Sequence, residues 1–256
     1  MCVCVCVLLA IIVYLYFYWN NRKLADTTFL PKDIYNMNWD SADKSHFDQL
    51  TQSNQGQIGT DSRIGAFLAE CAQNPEYVSY LEVGTWNGLG STRCFIDGFA
   101  KREQPFVFYS LECHPEKSEL ARKRYEHIPN VHILNEVLTN QITEQQVREM
   151  FPVLERDARF AYWNRLDLAH MKNKKVFLER PEIPEVFDVI LLDGGEFVTW
   201  FEYLCIRDRC RVLALDDTRT FKCAKIVEEL KNNPDWEMVF ESHERNGTAA
   251  FRKTQK

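Results

Sequence analysis

A chain of 256 residues, 45% hydrophobic and 27% charged, has enough apolar material for a real core in one large domain or two small ones, and its composition excludes a disordered chain. The formal net charge of −6 argues against a nucleic-acid binder, whose footprint is a basic excess or stripe. The nine cysteines form no C-x-x-C pair of zinc-ligand spacing, and they read as small buried hydrophobes in a reducing compartment.

Residues 2–19 are eighteen consecutive apolar residues, about 27 Å if helical and close to the least that crosses the hydrocarbon core of a bilayer. Tyr14, Tyr16, Tyr18 and Trp19 gather at the C-terminal end of this run, and Arg22 and Lys23 follow it. The expectation is a single-pass membrane anchor with the body of the protein on the cytoplasmic side. A cleavable signal peptide is the rival reading, but the aromatic run before Asn20 is a poor cleavage site. Residues 20–57 are polar and mixed, with Pro31 and scattered aromatics, and read as a linker that docks on a domain spanning 58–256.

Thr60 or Asp61 is the expected N-cap of a helix that buries Ile64, Phe67, Leu68 and Cys71. The apolar run 78–83 then reads as a buried strand that ends in a glycine-punctuated turn, Gly84-Thr85-Trp86-Asn87-Gly88, with a helix opening at Ser91 and Thr92. Glycines there let the backbone approach a ligand, and the free N–H groups of the helix start favour polar or anionic atoms. A second strand over 105–111 ends in Glu112, which stands 24 residues after Gly88. A carboxylate at that tip is where doubly wound nucleotide folds bind ribose hydroxyls. A charged helix over 116–125 and a third strand over 131–137 complete a β-α-β-α-β pattern, which implies a parallel sheet with right-handed crossovers.

Residues 138–184 contain no strand signal and are longer than one crossover needs, so they read as an inserted helical lid with an aromatic face at Phe160, Tyr162 and Trp163. A fourth strand, 187–192, ends in Asp193-Gly194-Gly195-Glu196, and a fifth, 211–215, ends in Asp216-Asp217. Helices are expected over 198–206 and 221–231. The strands 236–242 and 248–253 flank an Asn246-Gly247 turn and form a terminal antiparallel hairpin. The fold class is therefore α/β, a doubly wound, Rossmann-like, mostly parallel seven-stranded sheet closed by that hairpin.

The order Glu82-x-Gly84-x-x-x-Gly88, the acid Glu112 and the terminal hairpin together resemble class I S-adenosylmethionine-dependent methyltransferases. The resemblance implies that Glu82, Gly84, Thr85, Trp86, Gly88, Glu112 and Asp193 line the cofactor. Three strands in one sheet end in acids at the same edge, and like charges gathered there need a cation or basic group to hold them. A divalent ion such as Mg²⁺ is the ordinary partner for oxygen-only ligands. That placement is similar to metal-dependent O-methyltransferases of the catechol, cephalosporin and macrolide-sugar type, which implies Asp193, Asp216 and Asp217 as metal ligands. The catechol enzymes carry a lysine three residues after the first of these acids and this chain carries Glu196, so Asp193 and Glu196 are the catalytic candidates here. The expected activity is O-methylation of a sugar or glycoconjugate hydroxyl. Two other readings stay open, an NAD-dependent oxidoreductase or nucleotide-sugar enzyme on the same half-fold, and a membrane-tethered scaffold that has lost its chemistry. His114 reads as an ordinary loop histidine, with stacking near the adenine as the alternative, and the oligomeric state is not legible.

Overall fold

The computed structural model describes residues 58–254. The expected anchor 2–19 and the whole of the linker 20–57 lie outside the described residues, and among the described residues no helix is long and apolar enough to cross a membrane.

One seven-stranded sheet carries the molecule. Its strands are β1 (Ser79–Val83), β2 (Val107–Leu111), β3 (Val131–Leu134), β4 (Phe187–Leu192), β5 (Cys210–Asp216), β6 (Trp236–Ser242) and β7 (Thr248–Lys253), in the spatial order β3-β2-β1-β4-β5-β7-β6. The first five are parallel, and β7 runs antiparallel to both β5 and β6. Every residue of β1 and β4 is buried, as central parallel strands covered on both faces require. Their side chains alternate between two cores. Leu81, Ile190, Leu192 and Leu213 enter one, and Tyr80, Val189, Leu191 and Val212 enter the other.

Helices fill both faces. α1 (Arg63–Gln73), α2 (Ser91–Phe99) and α3 (Pro115–Tyr125) bury Leu68, Phe95 and Ala121 in the second core. α6 (Thr199–Ile206) and α7 (Ala224–Lys231) bury Tyr203, Ile206 and Ile226 in the first. The crossover leaving β1 thus lies on one face and the crossover leaving β4 on the other, while β1 and β4 are neighbours. Their C-terminal loops diverge and leave a crevice between them, the place where doubly wound sheets bind ligands.

Between β3 and β4 lie α4 (Glu144–Met150) and α5 (Ala158–Met171), joined by a 3₁₀ turn at Pro152–Glu155. The inserted segment 138–184 is helical, as expected, but its aromatics do not form a free face. Phe160 packs with Phe197 and Phe221 in a small core of its own, and Tyr162 is exposed. Several boundaries differ from the sequence reading, three of them with a visible cause. Ser62, rather than Thr60 or Asp61, caps α1, its Oγ accepting from the Gly65 N–H at 3.0 Å. β3 stops at Leu134 because the Asn135 side chain turns back to donate to the carbonyls of Glu112 and Cys113. α7 begins at Ala224 rather than near Phe221, since the residues after Asp217 fold into turns that end at Cys223.

Candidate active site

Sheet register assembles the site. Val83 pairs with Leu111 on one side and Leu192 on the other, and Leu192 pairs with Leu215. The next residue of each strand therefore falls in one row along the C-terminal edge, which brings Glu112, Gly84, Asp193 and Asp216 together. The expected convergence of acids follows from this register.

At the β1 turn, Gly84 has a φ of +99°, and a Cβ there would sit 2.0 Å from the Asp193 carbonyl oxygen. Only glycine lets the loops after β1 and β4 pass so closely. Gly88, expected to clear space for a ligand, instead clears space for α3. Its φ is +77°, a Cβ would lie 2.9 Å from the Tyr125 ring, and Tyr125 donates its hydroxyl to the Gly88 carbonyl at 2.5 Å. Glu82 also has an internal role. It is fully buried, with one oxygen accepting from Ser91 Oγ at 2.5 Å and the other from Thr92 Oγ1 at 2.6 Å and Ser110 Oγ at 2.5 Å. Burial raises its pKa and the three hydroxyls oppose that rise. The acid expected beside the cofactor thus pins β1, β2 and the start of α2 to one another, and Thr85, 2.5 Å from Ser110 through its hydroxyl, extends the same network.

Glu112 ends β2 as expected. Its oxygens accept from the Trp86 N–H at 2.7 Å and the His114 N–H at 2.8 Å, which ties the β1 turn to the β2 loop, and the Cys113 side chain is a third donor to a carboxylate with four lone-pair sites. Trp86 holds a φ of +51°, and Lys117 lies 4.7 Å from its ring centre. His114 meets His170 of α5 edge to face at 4.4 Å, and its Nδ1 is buried without a partner.

At the other end of the row the carboxylates of Asp193, Asp216 and Asp217 come within 4.8 Å of one another. A residue that sequence reasoning missed lies among them. Lys222 Nζ is 2.8 Å from Asp193 Oδ1 and 2.7 Å from Asp217 Oδ2, and the side chain is buried. The hairpin turn supplies the rest: Arg245 donates to Asp216 Oδ2 at 3.1 Å, and Asn246 donates to Asp217 Oδ1 at 3.1 Å. Asp217 itself has a φ of +53°, a left-handed conformation that Asp tolerates better than most residues. Desolvation pushes the Asp216 carboxyl up to about 8, with Asp193 and Asp217 adding to the rise, whereas the lysine beside Asp217 holds that carboxyl below its ordinary value. The trio is the right donor set for a divalent ion, but two of its members already hold a buried ammonium and the third an arginine. With those basic groups in place, the residues present do not fit a Mg²⁺ ion. The sequence signal for Lys222 is a single cation inside the otherwise apolar stretch Phe221-Lys222-Cys223-Ala224.

Glu196 lies on the same edge, its pKa raised by desolvation against the pull of Lys222. Asn164, Asp167 and His170, spaced by three on α5, form one polar stripe, which meets the edge where Asp167 stands against Gly195 and His170 against His114. A Cβ on Gly195 would meet Asp167 Oδ2 at 2.5 Å, and one on Gly194 would meet Glu202 Oε2 at 2.6 Å, so the Gly-Gly pair makes room for two further carboxylates. Desolvation pushes both Asp167 and Glu202 up to about 7. Asn164 Oδ1 and Glu202 Oε2 are buried without partners, as is His114 Nδ1. Buried polar atoms of this kind ask for a ligand or water.

The strand order and the reversed seventh strand define the class I methyltransferase fold. No family model matches the sequence and no curated protein does so. Solved structures do match. A provisionally assigned O-methyltransferase of Klebsiella pneumoniae is 13% identical, with a TM-score of 0.51 over 82% of this chain and 87% of its own. A provisionally assigned caffeoyl-CoA O-methyltransferase of Staphylococcus aureus is also 13% identical, with a TM-score of 0.50 over 92% of this chain and all of its own, 100%. A Corynebacterium glutamicum protein reaches a TM-score of 0.52 at 10% identity, over 88% of this chain and 97% of its own. At these identities the likeness is one of fold.

Proposed function

We propose that the chain is an S-adenosylmethionine-dependent O-methyltransferase that acts on a sugar or glycoconjugate hydroxyl, tethered to a membrane by residues 2–19 with its catalytic domain cytoplasmic. The observation that carries the reading is the edge between β1 and β4. The Gly84 turn, the Glu112 carboxylate and the unpartnered His114 Nδ1 stand on one side of it, and a row of carboxylates stands on the other. S-adenosylmethionine would supply an electrophilic methyl group there, giving up its C–S bonding pair to sulfur as the new C–O bond forms. Glu112 fits the ribose hydroxyls through its remaining lone pairs, and the His114 loop fits the adenine end. Glu82, Thr85 and Gly88 act through the shape of the turn they hold.

The acceptor's side of the chemistry is proton removal and alignment. Glu196, whose carboxyl is raised by desolvation, takes the hydroxyl proton in this reading, and Asp193 orients the hydroxyl. Alignment supplies most of the acceleration, because a displacement at a methyl carbon needs the three reacting atoms nearly in line. A polyhydroxylated acceptor suits an edge of carboxylates and a lid stripe of Asn164, Asp167 and His170, all hydrogen-bonding groups, better than a flat aromatic one does. The metal assistance expected from the sequence is not part of this reading, because Lys222 and Arg245 already pair the three acids.

Calorimetric titration with S-adenosylmethionine and S-adenosylhomocysteine tests the proposal. The expected result is one site per chain that Glu112→Ala weakens. Absence of binding at millimolar cofactor would overturn it, and an NAD-dependent enzyme would instead show nicotinamide fluorescence changes on titration.

A further inference from the structure

The carboxylate trio poses a specific physical question, namely which cation neutralises it. Mg²⁺ binds oxygens at about 2.0–2.1 Å in near-octahedral geometry and keeps several waters. It would have to stand where the Lys222 ammonium stands, between Asp193 and Asp217. That lysine is not a surface side chain swung inward. It is 8% exposed, its backbone N–H is held by Thr220 Oγ1 at 3.2 Å, and the next residue, Cys223, is fully buried in the first core. Arg245 covers one oxygen of Asp216, and Asn246 covers the second oxygen of Asp217. The oxygens left over are Asp216 Oδ1 and Asp193 Oδ2, and an ion held by these two alone would stand against the Lys222 ammonium and the Arg245 guanidinium. Two fixed cations already balance two carboxylates, so a divalent ion added to the three acids would overshoot neutrality.

We propose that Lys222 is the resident cation of this site and that the protein binds no divalent ion among Asp193, Asp216 and Asp217. The proposal rests on the methyltransferase reading only for what the charge is used for. An ammonium has three N–H donors, and two of these are given to Asp193 and Asp217. The third is available to an acceptor oxygen, which makes Lys222 the group that holds the hydroxyl for attack, as a bound ion does in metal-assisted transferases.

The test is a titration of the full chain with Mn²⁺, followed by electron paramagnetic resonance of the free ion and by melting curves in EDTA and in Mn²⁺. Wild-type protein is expected to take up no Mn²⁺ at millimolar concentration and to melt at the same temperature in both solutions. Lys222→Met, which keeps the bulk and removes the charge, is expected to bind one equivalent and to gain melting temperature with it. Lys222→Gln serves the same purpose if the first variant does not fold. One equivalent bound by the wild type and lost in Asp217→Asn would overturn the proposal. So would a folded Lys222→Met or Lys222→Gln that binds no ion, because the lysine would then not be what keeps it out. If neither variant folds, the wild-type titration decides by itself. Calorimetry with S-adenosylhomocysteine on the same samples reads the methyltransferase assignment separately, since its failure leaves the metal titration unaffected.

Discussion

Two residues at the ligand edge make sharply different predictions. Glu112→Ala removes a carboxylate that would bind ribose and also frees the Trp86 and His114 N–H groups, so cofactor affinity should fall by about 1.5–3 kcal/mol, the worth of hydrogen bonds to a charged group. Glu112→Gln keeps an acceptor for one of those N–H groups. Calorimetry should therefore find it between the parent and the alanine variant, and equal affinity in all three proteins would make the acid purely structural. Gly84→Ala acts on the fold itself. A methyl group 2.0 Å from the Asp193 carbonyl, at a φ of +99°, has nowhere to go, and urea unfolding should show a loss of at least the roughly 1–3 kcal/mol that such backbone strain costs. Gly84 was legible in the sequence as a turn glycine. That its partner is the backbone of Asp193, 109 residues further on, was not, because no local pattern records which loops cross.

At the scale of elements, α5 and the β6–β7 turn complete an edge that the strands begin. The sequence reading assigned α5 an aromatic face, and the structure turns Phe160 into a local core and gives the edge Asn164, Asp167 and His170 instead. A period-three polar stripe was there to be read, but aromatics among charges are the louder signal. Asp167 faces Glu112, Glu196 and Lys222, and Glu202 faces Asp167, Glu112 and Lys222. Both carboxyls titrate at about 7 in the folded protein. Folded protein therefore keeps protons that the unfolded chain has released, so stability is full below the ordinary carboxylate range and falls as pH rises to about 7. Asp167→Asn should flatten that fall, measured as melting temperature against pH, and an unchanged slope would show that Asp167 does not carry it. Arg245→Ala tests the turn. It leaves Asp216 without its arginine partner in a buried place and should cost about 1–3 kcal/mol of stability, read by urea unfolding. The Asn-Gly signal gave the position of this turn and was silent about its reach into the site.

For the whole molecule, cofactor binding should stabilise the folded state by mass action, by about 2.7 kcal/mol when S-adenosylhomocysteine is present at a hundred times its dissociation constant. A melting temperature that ignores saturating S-adenosylhomocysteine would contradict the proposed function. The architecture was largely determined by the sequence alone. Seven apolar runs, their alternation with helices, acids at three strand ends and an Asn-Gly hairpin specify a mostly parallel sheet with a reversed last strand, because burial on both faces and right-handed crossovers leave few other arrangements. Convergence of Asp193, Asp216 and Asp217 follows from the same logic, since parallel strands in register must present their ends in one row. What only the tertiary structure decided is who partners whom. Glu82 meets three hydroxyls, Gly88 meets Tyr125, and Lys222 meets two of the three acids. Each of these contacts joins segments whose separation along the chain carries no periodicity. A lysine after a turn has the same local sequence whether it points to water or fills a cluster of carboxylates, and the energy that chooses between them lies in the desolvated charges around it.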